Sequence, residues 1–138
     1  MASDREFSFV ETINDPEMLK HLDFTDDRAE VIVSGFTLDH MPFDTEGFVE
    51  DDEYWSIVDQ IKANGYDSSQ PIHVRPARQG AWLVDLDDAS RFMAAKQVAN
   101  DFFANLLTQK VSKVRFILHD ASMDGKYKAP RFSFGQGA

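Results

Sequence analysis

PIHVRPARQGAWLVDLDDASRFMAAK, residues 71–96, is the stretch on which the fold of this chain turns. Residues 71–76 alternate Ile72 and Val74 against His73 and Arg75, the period-two pattern of a half-buried strand. Residues 77–80 read as a hairpin turn and residues 81–86 (AWLVDL) as the returning strand. From about Asp88 to Leu107 the period changes. Phe92, Ala95, Ala99, Phe102, Phe103 and Leu106 fall on one stripe, which predicts a long helix packed on the sheet.

Upstream, residues 50–64 (EDDEYWSIVDQIKAN) predict another helix. Its first turn is acidic, Tyr54, Trp55, Val58 and Ile61 recur at helical spacing, and Gly65 follows as a stop. Residues 30–38 (EVIVSGFTL) predict a strand and residues 41–47 a loop. Asn14, Asp15 and Pro16 open a short helix over 15–22, a capping side chain followed by proline. Downstream, residues 111–119 (VSKVRFILH) predict a last strand, with Val114, Phe116 and Leu118 alternating against Arg115, Ile117 and His119. Residues 121–138 carry Gly125, Pro130, Gly135 and Gly137 and predict a loop-rich tail with one strand around Arg131 to Phe134. The order defines an α+β fold, a small mixed β-sheet with helices packed on it. The 138 residues suit one domain. Its expected parts are an N-terminal extension with a short helix (1–29), a core (30–120) and a basic tail (121–138).

Composition narrows the chemistry. There is no cysteine, which excludes a disulfide scaffold, a thiol nucleophile and thiolate-held metal. The net charge of −10 repels polyphosphate away from any local basic patch. That charge is uneven: residues 1–106 hold 8 basic and 22 acidic residues, whereas residues 107–138 hold 6 and 2. No basic region leads into a long apolar run at MASDREFSFVET, and no window of about 18 apolar residues occurs. A soluble, cytoplasmic chain without membrane contact is the expectation.

Residues 50–120 also carry a resemblance. A helix ending in NGY, then QPIHVRP, a turn, GAWLVD, and DDASRFMAAK opening a helix are similar to the N-terminal domain of ParB-type partition proteins and to the related sulfiredoxins. With the flanking strands, the likeness spans roughly residues 30–120. It implies a ParB/sulfiredoxin-like sheet and a ligand site at the strand-to-helix loop, where free amides bind phosphate. Counting back from Ala94, Ala95 and Lys96, the loop positions are Asp88, Ala89, Ser90 and Arg91. These four and Arg75 are the phosphate or nucleotide candidates.

The loop departs from the family at three positions. Asp88 stands for the family's glycine and sets a carboxylate where phosphate oxygens would approach. Ala89 stands for the sulfiredoxin cysteine, so sulfiredoxin reductase chemistry is excluded there. Ser90 stands for the first arginine of the partition-type loop and removes a bidentate donor. Only 18 residues follow Asp120, too few for the helix-turn-helix module of a partition protein.

The remaining candidates each have a plain structural alternative. Asp85, Asp87 and Asp88 could ligate Mg²⁺ or Mn²⁺, or Asp87 or Asp88 could simply cap the helix. Arg91 could hold phosphate or pair with Asp87 or Asp88. Ser90 lacks a base nearby in sequence. His40, His73 and His119 could converge on a metal or serve structure alone. Trp55 and Trp82 sit in apolar patterns that predict core packing. The acidic run of Glu46, Glu50, Asp51, Asp52 and Glu53 is a solvated helix start or a dock for a basic partner.

The first expectation is thus a ParB-like binding or regulatory module, plasmid- or phage-associated by its resemblance. It would bind a protein partner through the acidic face, or a nucleotide with Mg²⁺ at the strand-to-helix loop. One alternative is a metal-dependent nuclease or nucleoside triphosphatase using Asp85, Asp87, Asp88, Arg91 and Arg75. Another is DNA binding by the basic segment that holds Lys110, Lys113, Arg115, Lys126, Lys128 and Arg131.

Overall fold

Alternation of β-branched and polar residues builds the sheet. A computed structural model describes residues 11–22, 24, 27–77 and 81–129. Six strands run β1 (Glu11–Ile13), β2 (Arg28–Ser34), β3 (Phe43–Asp44), β4 (Ile72–Pro76), β5 (Trp82–Val84) and β6 (Lys113–His119). Their spatial order is β1-β2-β6-β4-β5-β3. The sheet is mixed: β1 with β2, β4 with β6 and β3 with β5 are parallel, and β2 with β6 and β4 with β5 antiparallel. The helices are α1 (Gly35–Leu38), α2 (Asp52–Asn64) and α3 (Leu86–Ala99), with a 3-10 turn at Pro16–His21 and a π-helical segment at Phe102–Leu107. The α+β class and the helix-covered mixed sheet are as the sequence predicts.

The strand pattern sorts the two faces. Val31, Val33, Ile72, Val74, Val84, Val114, Phe116 and Leu118 are fully buried with Phe92, Ala95 and Val98 of α3 and Val58 of α2. The alternate set of Glu30, Ile32, His73, Arg75, Leu83, Asp85, Arg115 and His119 is half-buried on the opposite face. Helix α2 starts at its cap Asp51, which accepts from the Tyr54 amide at 3.0 Å. It stops at Gly65, whose φ of +86° suits only glycine.

Several local expectations are corrected. The strand expected over 30–38 runs from Arg28 to Ser34 and then turns into α1, because Ser34 caps that helix by accepting from the Thr37 amide at 3.2 Å. Gly35 is required at the switch: a Cβ there would sit 2.0 Å from the Val111 carbonyl oxygen. Part of the loop over 41–47 pairs as β3, and Glu11–Ile13 adds an edge strand that alternation in so short a segment did not reveal. The short helix over 15–22 is a 3-10 turn capped by Asp15, which accepts from the Glu17 amide at 3.0 Å.

The long helix is the largest correction. It begins at Leu86, ends at Ala99 and resumes only as the π-helical Phe102–Leu107. Asp101 caps that second segment, accepting from the Ala104 amide at 2.9 Å, and the turn at Asn100 resets the helical phase. Phe92 and Ala95 stay in the core, whereas Phe102, Phe103 and Leu106 are exposed. Trp55 likewise faces solvent, while Trp82 is buried and stacks on Phe24 with ring centres 6.4 Å apart. The hairpin turn at 78–80 and the strand around Arg131 to Phe134 lie outside the described residues.

Candidate functional site

The strand-to-helix corner brings the sequence candidates close in the chain and then divides them between two faces. Asp88 is buried in the first turn of α3. Its Oδ2 accepts from the His73 backbone amide at 2.9 Å and its Oδ1 from Arg91 Nη2 at 2.7 Å. Arg91 also donates to the carbonyls of Gln70 and Pro71. The guanidinium is thus a brace that holds the turn before β4 onto α3. Asp88 does not cap the helix, nor does Asp87: the N-cap is Asp85, which makes no side-chain cap bond. The Asp88 amide donates to the Asp85 carbonyl at 2.9 Å, and Ala89 is buried.

On the other face Asp85 turns to Arg75, with Oδ1 at 3.1 Å from Nε. Asp87 is exposed. The three acids therefore point in three directions, and among the described residues no group of three or more His, Asp or Glu is placed to hold a metal ion. Ser90 is half-buried.

Two cavities flank the corner. One of about 310 Å³ is lined by Ile57, Gln60, Asn64, Tyr66, Gln70 and Arg91. The Tyr66 hydroxyl is buried beside it without a well-formed hydrogen bond, and burial pushes the phenol's pKa up, with the Arg91 charge opposing. Asp67 and Asp88 also act on this phenol, so Arg91 does not leave the region net positive.

The other cavity, of about 640 Å³, opens over the Arg75–Asp85 pair. Among the described residues, Glu46, Asp85, Asp87 and Asp124 line it with one cation, Arg75, and Leu83, Leu86 and Met123 supply its apolar wall. Leu86 and Met123 are among the most exposed apolar side chains described, so that wall stands open. Met123 and Asp124 belong to the turn closed by the Ala121–Lys128 bridge, within the segment whose glycines and proline predict a loop-rich tail. Hydrogen bonds from Ser122 and the Lys126 amide hold the Asp124 carboxyl below the usual carboxylate range.

Of the histidines, His73 and His119 meet and His40 does not join them. His73 Nδ1 and His119 Nε2 are 2.9 Å apart, and the ring centres 5.1 Å. That separation fits two rings joined end to end by one N–H···N bond, more than two lone pairs converging on an ion. Burial, with Arg75 and His73 adding to it, lowers the pKa of His119.

The basic segment is partly engaged. Arg115 pairs with Glu30, and Lys110 Nζ reaches the Ala63 carbonyl at 3.5 Å. Lys113, Lys126 and Lys128 are exposed, and Arg131 lies outside the described residues. Among the described residues no helix is long and apolar enough to cross a membrane. No family model, curated protein or solved structure matches the chain.

Proposed function

We propose that this chain is a ParB/sulfiredoxin-like binding module whose strand-to-helix corner receives a basic, partly apolar segment of a protein partner, in the plasmid- or phage-borne setting that its resemblance implies. One observation carries the reading: among the described residues, the 640 Å³ cavity at the corner sets four carboxylates against one already paired arginine, beside an open wall of Leu83, Leu86 and Met123. A lysine or arginine side chain gains charge there and lays its methylene stem on the apolar wall. The neighbouring acidic run of residues 50–53 extends the same field and favours encounter with a cation. A nucleotide is less well supported. Its phosphates would meet these carboxylates, and Nη1 and Nη2 of Arg91 already donate to Asp88, Gln70 and Pro71.

The test is binding of a fluorescein-labelled lysine–leucine peptide, read by anisotropy. Binding should weaken as salt is raised. Asp87→Asn with Glu46→Gln should weaken it about tenfold at low salt, from two partly exposed charges. No binding at low salt, or equal binding by the double variant, removes the proposal. A melting shift with ATP and Mg²⁺ that Arg91→Ala abolishes would favour the nucleotide alternative instead.

A further inference from the structure

We propose that the chain pairs with a second copy of itself through the π-helical segment Phe102–Leu107. Phe102, Phe103, Leu106 and Leu107 are each 52–72% exposed within these six residues. The segment cannot turn them inward. Asn105, fully buried on its inner side, donates to the Ala99 carbonyl at 3.2 Å and accepts from the Val111 amide at 2.8 Å. Asp101 fixes the entry by accepting from the Ala104 amide. Polar anchors on the inside thus hold an apolar ridge on the outside.

Area argues for a second copy. At about 190 Å² per large apolar side chain, the four leave roughly 450 Å² bare. A patch of that size is at the scale of the largest found on monomers, where it is often functional. Two copies face to face would cover roughly 900 Å² in all, below a standard stable interface and in the range of weak, concentration-dependent pairs. A two-fold contact needs only one self-complementary patch, and a continuous apolar ridge meets that condition.

Charge agrees. Two copies of net charge −10 repel, so any pairing surface must lie away from the densest acids. The ridge is flanked by the Lys62–Asp101 ion pair, 3.5 Å long, and by Lys110 beside Ala63. Both lie at the C-terminal end of α2. The acidic run of residues 50–53 lies at its N-terminal end, roughly 18 Å away at 1.5 Å per residue and about two screening lengths at physiological salt.

Sedimentation equilibrium of the full chain, from low micromolar to sub-millimolar concentration, tests the pairing. A dimer should form and should tighten as salt screens the two net charges. Phe103→Asp with Leu107→Asp should weaken it by at least about 100-fold, with the fold retained by circular dichroism because both side chains are exposed. As the chain has no cysteine, Leu106→Cys supplies a single thiol. Its mild oxidation should link two copies far faster than that of Lys126→Cys, placed on the exposed tail turn. A wild-type chain that stays monomeric throughout overturns the proposal and leaves the ridge to a different partner. A dimer untouched by the double variant, or equal linking by the two thiols, also overturns it.

Discussion

The strand-to-helix corner and the segment after α3 invert one another. At the corner, Asp88 and Arg91 are charged residues turned inward to hold β4, the preceding turn and α3 together. After α3, Phe102, Phe103, Leu106 and Leu107 are apolar residues turned outward, while the amide Asn105 takes the buried place. Residue type alone does not separate the two regions: charge at a loop suggests a ligand site, yet Asp88 and Arg91 also bond to the fold itself, and an apolar stripe suggests core, yet Phe102, Phe103 and Leu106 are exposed. What decides is which backbone groups need a partner. The His73 amide and the Val111 amide are each answered by a side chain, Asp88 and Asn105, and those two residues then fix which way their neighbours face.

Substituting Asp88 is the strongest way to break this contrast. Asp88→Ala should cost about 3 kcal/mol in urea unfolding, because it strands a partly buried guanidinium and a backbone amide together. A helix cap alone would cost about 1 kcal/mol. Asp88→Asn should fall between, since it keeps an acceptor for His73 and loses the charge on Arg91. A loss near 1 kcal/mol for Asp88→Ala would return the residue to the role of an ordinary first-turn acid.

Asn105 should come next. Asn105→Ala leaves the Val111 amide and the Ala99 carbonyl without their side-chain partner, and about 2 kcal/mol of stability should go. Hydrogen exchange should rise first at Val111, where the lost acceptor was direct. Unchanged protection there would mean that Asn105 is not what holds the ridge outward.

How much of this was readable in sequence follows the same line. The alternation Ile72, Val74 against His73, Arg75 placed β4 correctly, because a strand with one buried face repeats every two residues. Gly65 marked the end of α2, because only glycine takes its backbone angle freely. The break after Ala99 was missed although Asn100 and Asp101 stand there. Two adjacent residues of the kind that end and cap helices, set inside an unusually long stripe, were the available signal. The pairing of Arg91 with Asp88 was among the sequence alternatives, because residues three apart on one helix are neighbours. The turn of Asp85 to Arg75 was not readable, since it depends on the β4–β5 register that sets Arg75 opposite Leu83. The approach of His73 to His119 likewise needs β4 beside β6, a pairing of strands far apart in sequence.

That histidine pair lies at the corner, where the His73 carbonyl accepts from the Asp85 amide, and it should contribute a small pH dependence. The folded protein lowers the pKa of His119, so the unfolded chain takes up its proton first as pH falls. The contribution is fully present above the ordinary histidine value of about 6.5. It is lost as pH drops through that value towards the lowered one. Solvent reaches the pair, so the effect should stay below about 1 kcal/mol. His119→Gln should flatten unfolding free energy between neutral and mildly acidic pH relative to wild type. Equal slopes in the two proteins would mean that burial at this position is too slight to matter.

The smallest effect should come from the residue that sequence periodicity ranks with the core. Phe103 shares the stripe of Phe92 on paper, and a buried phenylalanine such as Phe92 should cost about 3–5 kcal/mol when cut to alanine. Phe103 is 72% exposed, beyond the turn that resets the phase. Phe103→Ser should therefore change unfolding free energy by no more than about 0.5 kcal/mol, measured at a dilution where the chain is monomeric. At high concentration the same substitution should lower the melting temperature relative to wild type, because association adds to apparent stability only in a chain that can still pair. A large loss in the dilute monomer would place Phe103 back in the core and close the ridge. A loss seen only at high concentration would separate the two regions by what they bind: the corner's inward charges hold the monomer together, and the outward phenylalanine acts between molecules.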